Sequence, residues 1–252
     1  MRVYDEFAWF YARGTYPQYS ERMADILPSL LERFRTRPKV ILDLACGEGT
    51  FAVAMAKKGF QVMGVDQSSQ MIRLARERAK RENAKIKFSV QDMRSLSYKE
   101  NFDLVTCWYD SLNYLPESKD LESTFRGVYR ALRREGLFIF DMNTIYGLAV
   151  KWQRHPCFVQ QDTPEMFEVH RHEYDFEKNL ATLVITGFIK RGMRWVRVDE
   201  KHHERGYPLE EIRKCLRKSG LRELGCWGSL EEMSEPRADS GRAYFLTRKQ
   251  MR

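Results

Sequence analysis

Residues 40–68, VILDLACGEGTFAVAMAKKGFQVMGVDQS, set two carboxylates around a glycine turn. Asp43 stands four residues before Gly47, Gly49 follows two residues later, and Asp66 lies nineteen residues beyond Gly47. A third acid, Asp92, ends the next apolar run in SVQDM. At the carboxyl end of a parallel strand, a glycine turn lets a ligand touch the main chain and the start of the following helix. The spelling G-E-G-T-F-A also satisfies the dinucleotide fingerprint G-x-G-x-x-A, with Asp66 placed to accept hydrogen bonds from a ribose diol. A nicotinamide-dependent dehydrogenase is therefore one reading. Asp43 argues for another, because a carboxylate just before the turn repels a pyrophosphate and attracts an ammonium or a sulfonium. Asp92 suits an adenine amino group, with Met93 against the ring face. Together the three acids describe a ligand with an amino-acid end, a ribose and an adenine.

The elements that must position these acids follow from periodicity. VILDLA (40–45), FQVMGVD (60–66), KIKFSVQD (85–92), FDLVTCWY (102–109) and LFIFDMN (137–143) read as strands. TFAVAMAKKG (50–59), SSQMIRLARERAKREN (68–83) and ESKDLESTFRGVYRALRREG (117–136) read as the helices between them. Strands alternating with helices across short turns mean a parallel sheet covered on both faces. In 68–83, Met71, Ile72, Leu74, Ala75 and Ala79 form the apolar side. The period then changes. Residues 165–176, 180–190 and 194–207 read as an antiparallel meander joined by Glu177-Lys178-Asn179 and Arg191-Gly192-Met193. A helix over 208–220 lies between Pro208 and Gly220, and strands at 221–229 and 242–249 complete seven. The first 37 residues, rich in Tyr, Phe and Trp, read as two helices outside the sheet. The expected fold is α/β, a doubly wound, Rossmann-like, mostly parallel seven-stranded sheet with an inserted β meander. Its expected units are 1–144 (N-terminal helices and cofactor core), 145–207 (a lid over the substrate) and 208–252 (completion of the core).

LDLACGEGTFAVAMAKKGFQVMGVDQSSQMI, VQDMRSL, FDLVTCWYDSLNYL and LRREGLFIFDMN, taken in order, resemble the successive motifs of class I S-adenosylmethionine-dependent methyltransferases. The resemblance covers residues 39–144. It implies S-adenosylmethionine as cofactor, with Asp43 facing the methionine amino group, Asp66 and the adjacent Gln67 at the ribose, and Asp92 and Met93 at the adenine. Gly47 and Gly49 provide the close approach. The remainder is similar to bacterial small-molecule methyltransferases that include amino-sugar N-methyltransferases, through the aromatic N-terminal helices, the β insertion, the run His202 to Arg205, and Gly241 to Phe245. The N/D-P-P-Y and N-P-P-F motifs of many base-modifying DNA and RNA methyltransferases are missing after the fourth strand, where the chain reads C-W-Y-D-S-L-N-Y.

Methyl transfer is an in-line displacement, so the protein must align the reactants, exclude water and, where needed, remove one proton. Tyr11 and Tyr19 offer aromatic faces to close over a cationic cofactor. Trp108 and Tyr109 fall at the rim of the site, and Asp110 reads as the cap of the turn before Leu112. His202, on the face of the last meander strand that also carries Val196 and Val198, is expected to turn inward, where an imidazole takes a proton near neutral pH. His202 and Tyr109 are thus the catalytic candidates. His170 and His172 share a face but have no third ligand, so no metal site is expected.

The totals narrow the class. The net charge of +8 divides into excesses of +4, +1 and +3 over residues 1–144, 145–205 and 206–252, without the clustered stripe that a nucleic-acid groove requires. A small polar metabolite, with a nitrogen or oxygen acceptor, is the expected substrate, and either a monomer or a homodimer is compatible. Cys46, Cys107, Cys157, Cys215 and Cys226 form no C-x-x-C pair and are expected to be buried free thiols. No apolar run approaches the ~20 residues of a membrane span, and MRVYDEFAW carries acids where a secretory signal would be apolar. A cytoplasmic protein is expected. An oxidoreductase using NAD(P) and a non-catalytic module that senses S-adenosylmethionine are the alternatives.

Overall fold

The computed structural model describes Tyr4 and residues 6–250, and divides them between two sheets. In chain order the elements are α1 (Ala8–Arg13), α2 (Pro17–Arg33), β1 (Val40–Leu44), α3 (Thr50–Lys57), β2 (Gln61–Asp66), α4 (Ser69–Arg81), β3 (Lys87–Val90), β4 (Phe102–Cys107), α5 (Ser118–Ala131) and β5 (Leu132–Asn143). Then come β6 (Cys157–Asp162), β7 (Met166–Asp175), β8 (Leu180–Arg191), β9 (Arg194–Arg205), α6 (Leu209–Ser219), β10 (Leu221–Trp227) and β11 (Arg242–Lys249). The larger sheet has the order β10-β11-β5-β4-β1-β2-β3, with β11 antiparallel between β5 and β10. Strand order reverses between β1 and β4, and in such sheets the crevice at this reversal is where ligands bind.

Local chemistry sets one end of each of two helices. Ser68 starts α4 by accepting the amide of Met71 at 3.2 Å, and the helix buries Met71, Ile72, Ala75 and Ala79. Gly220, with φ 80°, ends α6 in the left-handed conformation. On one side of the sheet Phe125, Phe138, Phe140 and Phe245 pack together; on the other, Leu27 of α2, Phe51 of α3 and Ile72 of α4 cover Ile41.

The structure departs from the sequence reading in four places. The helix expected over 117–136 stops at Ala131, because Leu132 already pairs with Phe102. The register then jumps so that Leu137 meets Leu104, leaving 133–136 as a bulge in which Glu135 has φ 58°. The meander is a separate sheet, order β6-β7-β8-β9, and its edge strand β6 was not expected. Of the five thiols, Cys157 is exposed and the other four are buried. The N-terminal span expected as two helices contains α1 and α2; residues 1–3 and 5 of that span, with 251–252, lie outside the described residues. Among the described residues no helix is long and apolar enough to cross a membrane.

A third apolar cluster binds the N-terminal segment to the insertion sheet: Phe7, Phe10 and Tyr16 pack on Met166, Ile185, Ile189 and Val198. Gly187 of β8 makes this possible, since a Cβ there would lie 2.4 Å from the Phe10 ring. Gly187→Val should therefore lift Phe10 from the sheet and destabilise the protein by about 1–3 kcal/mol. Urea unfolding, with hydrogen exchange over residues 7–16, tests this; unchanged protection there would refute the contact's importance.

Candidate active site

The crevice is built from backbone that leaves ordinary conformations just after β1. Ala45, Gly47 and Gly49 all have positive φ (56°, 54° and 86°), and Asp66 at the end of β2 pins the turn by accepting the Gly47 amide at 2.9 Å and the Ser68 amide at 2.9 Å. Burial raises the Asp66 carboxyl above its ordinary value, opposed by the amides of Ser68, Gly47 and Gln67. Asp43, 2% exposed, accepts the Thr106 hydroxyl at 3.1 Å through Oδ1, while its buried Oδ2 has no partner. Burial is the main force lifting this carboxyl from 3.8 to about 8; Thr106 opposes, and Asp66 and Glu48 add to the rise. A buried carboxylate with a bare oxygen costs stability until a cation meets it.

These acids line a cavity of about 170 Å³. Nine residues nominated from the sequence line it together: Tyr11, Asp43, Gly47, Asp66, Gln67, Asp92, Met93, Trp108 and Tyr109. Trp108 brings a buried indole Nε1 without a partner. Asp92 reaches the cavity already engaged, accepting the Arg94 amide at 2.9 Å and gripped by the Arg94 guanidinium, with Nε 3.0 Å from each oxygen. Gly49 and Tyr19 do not line it. Gly49 starts α3 where a Cβ would lie 3.0 Å from Ala75 Cβ, so its role is packing. Tyr19 stands behind the wall, its ring stacked on Tyr109 at 4.5 Å.

A second cavity of about 480 Å³ opens beside the first, and Tyr4, Tyr11, Tyr109 and Tyr114 line both. Asp110, Glu204, Arg242, His170 and His202 are among its other walls. Tyr109 and Asp110 have left-handed backbones (φ 58° and 53°), a conformation that costs non-glycine residues about 1–2 kcal/mol each. The fully buried Asp141 at the end of β5 holds them there, accepting the amides of Tyr109 at 2.7 Å and Asp110 at 3.0 Å. Arg242 of β11 donates to Asp141 and lies 3.4 Å from Asp110. The Asn143 side-chain amide, through Nδ2, then donates to both Asp110 and Glu204, the latter at 2.9 Å. Burial, with Asp110 next, raises the Glu204 carboxyl well above its ordinary value.

Two expectations change here. The Asp110 side chain does not cap the turn before Leu112; its carbonyl accepts the Asn113 amide at 2.8 Å while the carboxylate faces Asn143 and Arg242. His202 does turn inward, 1% exposed, but it is not a free base: Nδ1 lies 2.9 Å from the Tyr114 hydroxyl and Nε2 lies 3.1 Å from Glu200, bent away from a linear hydrogen bond. Sequence reasoning missed Tyr4, Tyr114 and Glu204. Glu204 alone left a signal, two residues beyond His202 on the same strand face. Among the described residues no group of three or more His, Cys, Asp or Glu side chains could hold a metal ion.

Residues 41–136 match the family model described as "Methyltransferase domain". The "Putative methyltransferase YqeM" of Bacillus subtilis (strain 168) is 31% identical over 249 residues, covering 98% of this chain and 94% of that protein. Among solved structures, an S-adenosylmethionine-dependent methyltransferase from Clostridium acetobutylicum ATCC 824 superposes with a TM-score of 0.83 at 28% identity, over 99% of this chain and 100% of the other. The sugar N-methyltransferase KedS8 from Streptoalloteichus sp ATCC 53650 shares the fold, with a TM-score of 0.73 at 17% identity over 99% and 94%.

The raised Asp43 carboxyl carries a stability signature. A carboxyl at about 8 when folded, against an ordinary value of 3.8, keeps its proton longer in the folded state, so the ligand-free protein loses stability as pH rises through that window. Asp43→Asn removes this contribution. Urea denaturation at several pH values should show the variant losing at least about 1 kcal/mol less than the wild type between the two limits; parallel losses would show that Asp43 is ionised throughout.

Proposed function

This chain belongs to the class I S-adenosylmethionine-dependent methyltransferases, and from that premise we propose that it methylates a nitrogen or oxygen of a small polar metabolite held in the second cavity. It is an enzyme whose methyl donor is S-adenosylmethionine, which sets aside both the nicotinamide-dependent oxidoreductase and the non-catalytic sensor. Asp43 supplies the physical reason against the former: its unpartnered buried oxygen would repel a pyrophosphate and suits an ammonium.

The residues present fit the donor. Asp43 would hold its amino group, Asp66 and Gln67 its ribose, and Asp92 and Met93 its adenine, while Gly47 keeps side-chain bulk away and Tyr11 and Trp108 close over it. When bound, S-adenosylmethionine supplies an electrophilic methyl group on a sulfonium. The observation that carries the acceptor proposal is the junction of the two cavities at Tyr4, Tyr11, Tyr109 and Tyr114. Aromatic walls there keep water from the transfer and favour a cation. Tyr109, fixed by Asp141, would orient the acceptor, and His202 would stand on the acceptor side as the group that receives its proton. The insertion, residues 145–207, would serve as the lid, presenting Glu204 and His202 from β9. A cavity of about 480 Å³ lies within the usual range for small-molecule sites, about 300–1,000 Å³. The dispersed net charge agrees with a metabolite better than with nucleic acid.

Two measurements test this. Calorimetry with S-adenosylhomocysteine should find binding to the wild type and at least about tenfold weaker binding to Asp66→Ala, the effect of losing hydrogen bonds to a charged acceptor; equal affinity would remove the ribose role. Transfer of a radiolabelled methyl group should then be screened over amines, amino sugars and small acids. Labelling of one of these is expected, whereas labelling confined to an RNA or protein fraction would overturn the small-metabolite assignment.

A further inference from the structure

Taking that reading as its basis, we infer that Tyr4, Tyr114 and His202 form a proton relay leading away from the acceptor at the junction of the two cavities, with Glu200 as the counter-charge at its end. The geometry is a chain of three contacts. Tyr4 Oη lies 2.9 Å from Tyr114 Oη, Tyr114 Oη lies 2.9 Å from His202 Nδ1, and His202 Nε2 lies 3.1 Å from Glu200 Oε2. Both tyrosines line both cavities, whereas His202 lines the second. A tyrosine hydroxyl has one proton to donate. If Tyr114 gives its proton to His202, Tyr4 must donate to Tyr114, and the lone pairs left on Tyr4 Oη are the open end of the chain.

The other proton-accepting groups of the second cavity are less suited. Asp110 and Glu204 share the Asn143 side-chain amide, His170 is held through Nε2 by Glu168 and Tyr16, His172 Nδ1 lies 3.1 Å from the Trp152 carbonyl, and His155 is exposed to solvent. Burial keeps the phenols of Tyr4 and Tyr114 well above their ordinary values. Neither stands as a phenolate, and each can pass a proton only as it receives one. Glu200 is ionised: burial raises its carboxyl, but His202 and the amides of Phe7 and Tyr4 outweigh this and leave it below its ordinary value. It also fixes the entrance of the relay, accepting the amides of Tyr4 at 2.9 Å, Glu6 at 2.9 Å and Phe7 at 2.8 Å. Glu200 is thus a positioning residue as well as a counter-charge.

The step balances. The acceptor's proton passes to Tyr4 as the Tyr4 proton moves to Tyr114 and the Tyr114 proton to His202 Nδ1. The electron pair released on the acceptor forms the bond to the methyl carbon, and the carbon–sulfur bond breaks with its pair left on sulfur. Sulfur loses its positive charge, and one positive charge appears on His202 beside the Glu200 carboxylate. After product release the proton returns along the chain to water.

The direction of the chain is measurable without knowing the acceptor. Nitrogen-15 spectra of the histidine-labelled enzyme with S-adenosylhomocysteine bound should place the His202 proton on Nε2, with Nδ1 hydrogen-bonded. Tyr114→Phe should move the Nδ1 resonance to the unbonded position, while Tyr114→Phe and His202→Asn both still bind S-adenosylhomocysteine, showing that they fold. A His202 proton on Nδ1, or an Nδ1 resonance indifferent to Tyr114→Phe, overturns the relay whatever the substrate. In methyl transfer to a pool of ethanolamine, glucosamine and glycine, each single variant should lower kcat at least tenfold, with the double variant no worse than the poorer single; multiplying losses would also overturn it. Absence of transfer by the wild-type enzyme to that pool would count against the proposed acceptor class, and the tautomer would still decide the relay.

Discussion

One buried carboxylate governs the geometry of this site. Asp141 closes β5 and accepts the amides of both Tyr109 and Asp110, two residues whose left-handed backbones would relax without it. Arg242 from β11 completes the pairing. The chain after β4 is thereby fastened to a strand that begins about 130 residues later, and the fastening sets where the Tyr109 ring and the Asp110 carboxylate face. An ion pair removed from water gains little net stability against its desolvation cost. Here its return is positional, since losing either partner would leave a buried charge alone and release the backbone that divides the two cavities.

Acidic side chains are concentrated where a folded chain can least accommodate their charge. Asp43, Asp66, Asp141 and Glu204 are all raised above their ordinary values, in each case chiefly by burial. Protons, amides, Asn143 and a single guanidinium share the compensation. Such a site resists collapse and favours the ligand that brings the missing positive charge. The same logic orders the N-terminal segment, where Glu200 gathers three main-chain amides and so uses a charge from the insertion sheet to hold an aromatic residue over the cofactor crevice.

How much of this was legible in the sequence follows from the range of the interactions involved. The alternation of strands and helices over residues 39–144 is local, and the acids at strand ends could be read directly from the apolar runs they close. Helix α5 could not be bounded, because Leu132 joins the sheet by pairing with Phe102 and not through any breaker in the sequence. Strand β6 was missed because CFVQQD, an edge strand with a mostly solvated exterior, lacks a clear two-residue apolar period. Gly49 and Tyr19 were assigned to the ligand by motif and by aromatic character, and tertiary packing uses both elsewhere. Tyr4, Tyr114 and Glu200 could not have been associated from spacing: Glu200 stands 196 positions from the amide of Tyr4 that it accepts.

The insertion sheet shows how strand register becomes chemistry. Along β9 the buried positions are Val198, Glu200, His202 and Glu204, while Asp199, Lys201 and His203 face outward and Arg205 is half-buried. A two-residue period therefore delivers an apolar contact for the N-terminal segment, its anchoring carboxylate, an imidazole and a second carboxylate in one line. A slip of one residue would exchange this set for Asp199, Lys201, His203 and Arg205, keeping an imidazole but replacing the apolar contact by a carboxylate and both carboxylates by cations. Twelve consecutive pairings between β8 and β9, from Leu180 with Arg205 to Arg191 with Arg194, oppose that slip. The length of the hairpin is thus explained by the need to hold three reactive side chains in phase with a crevice that belongs to another sheet.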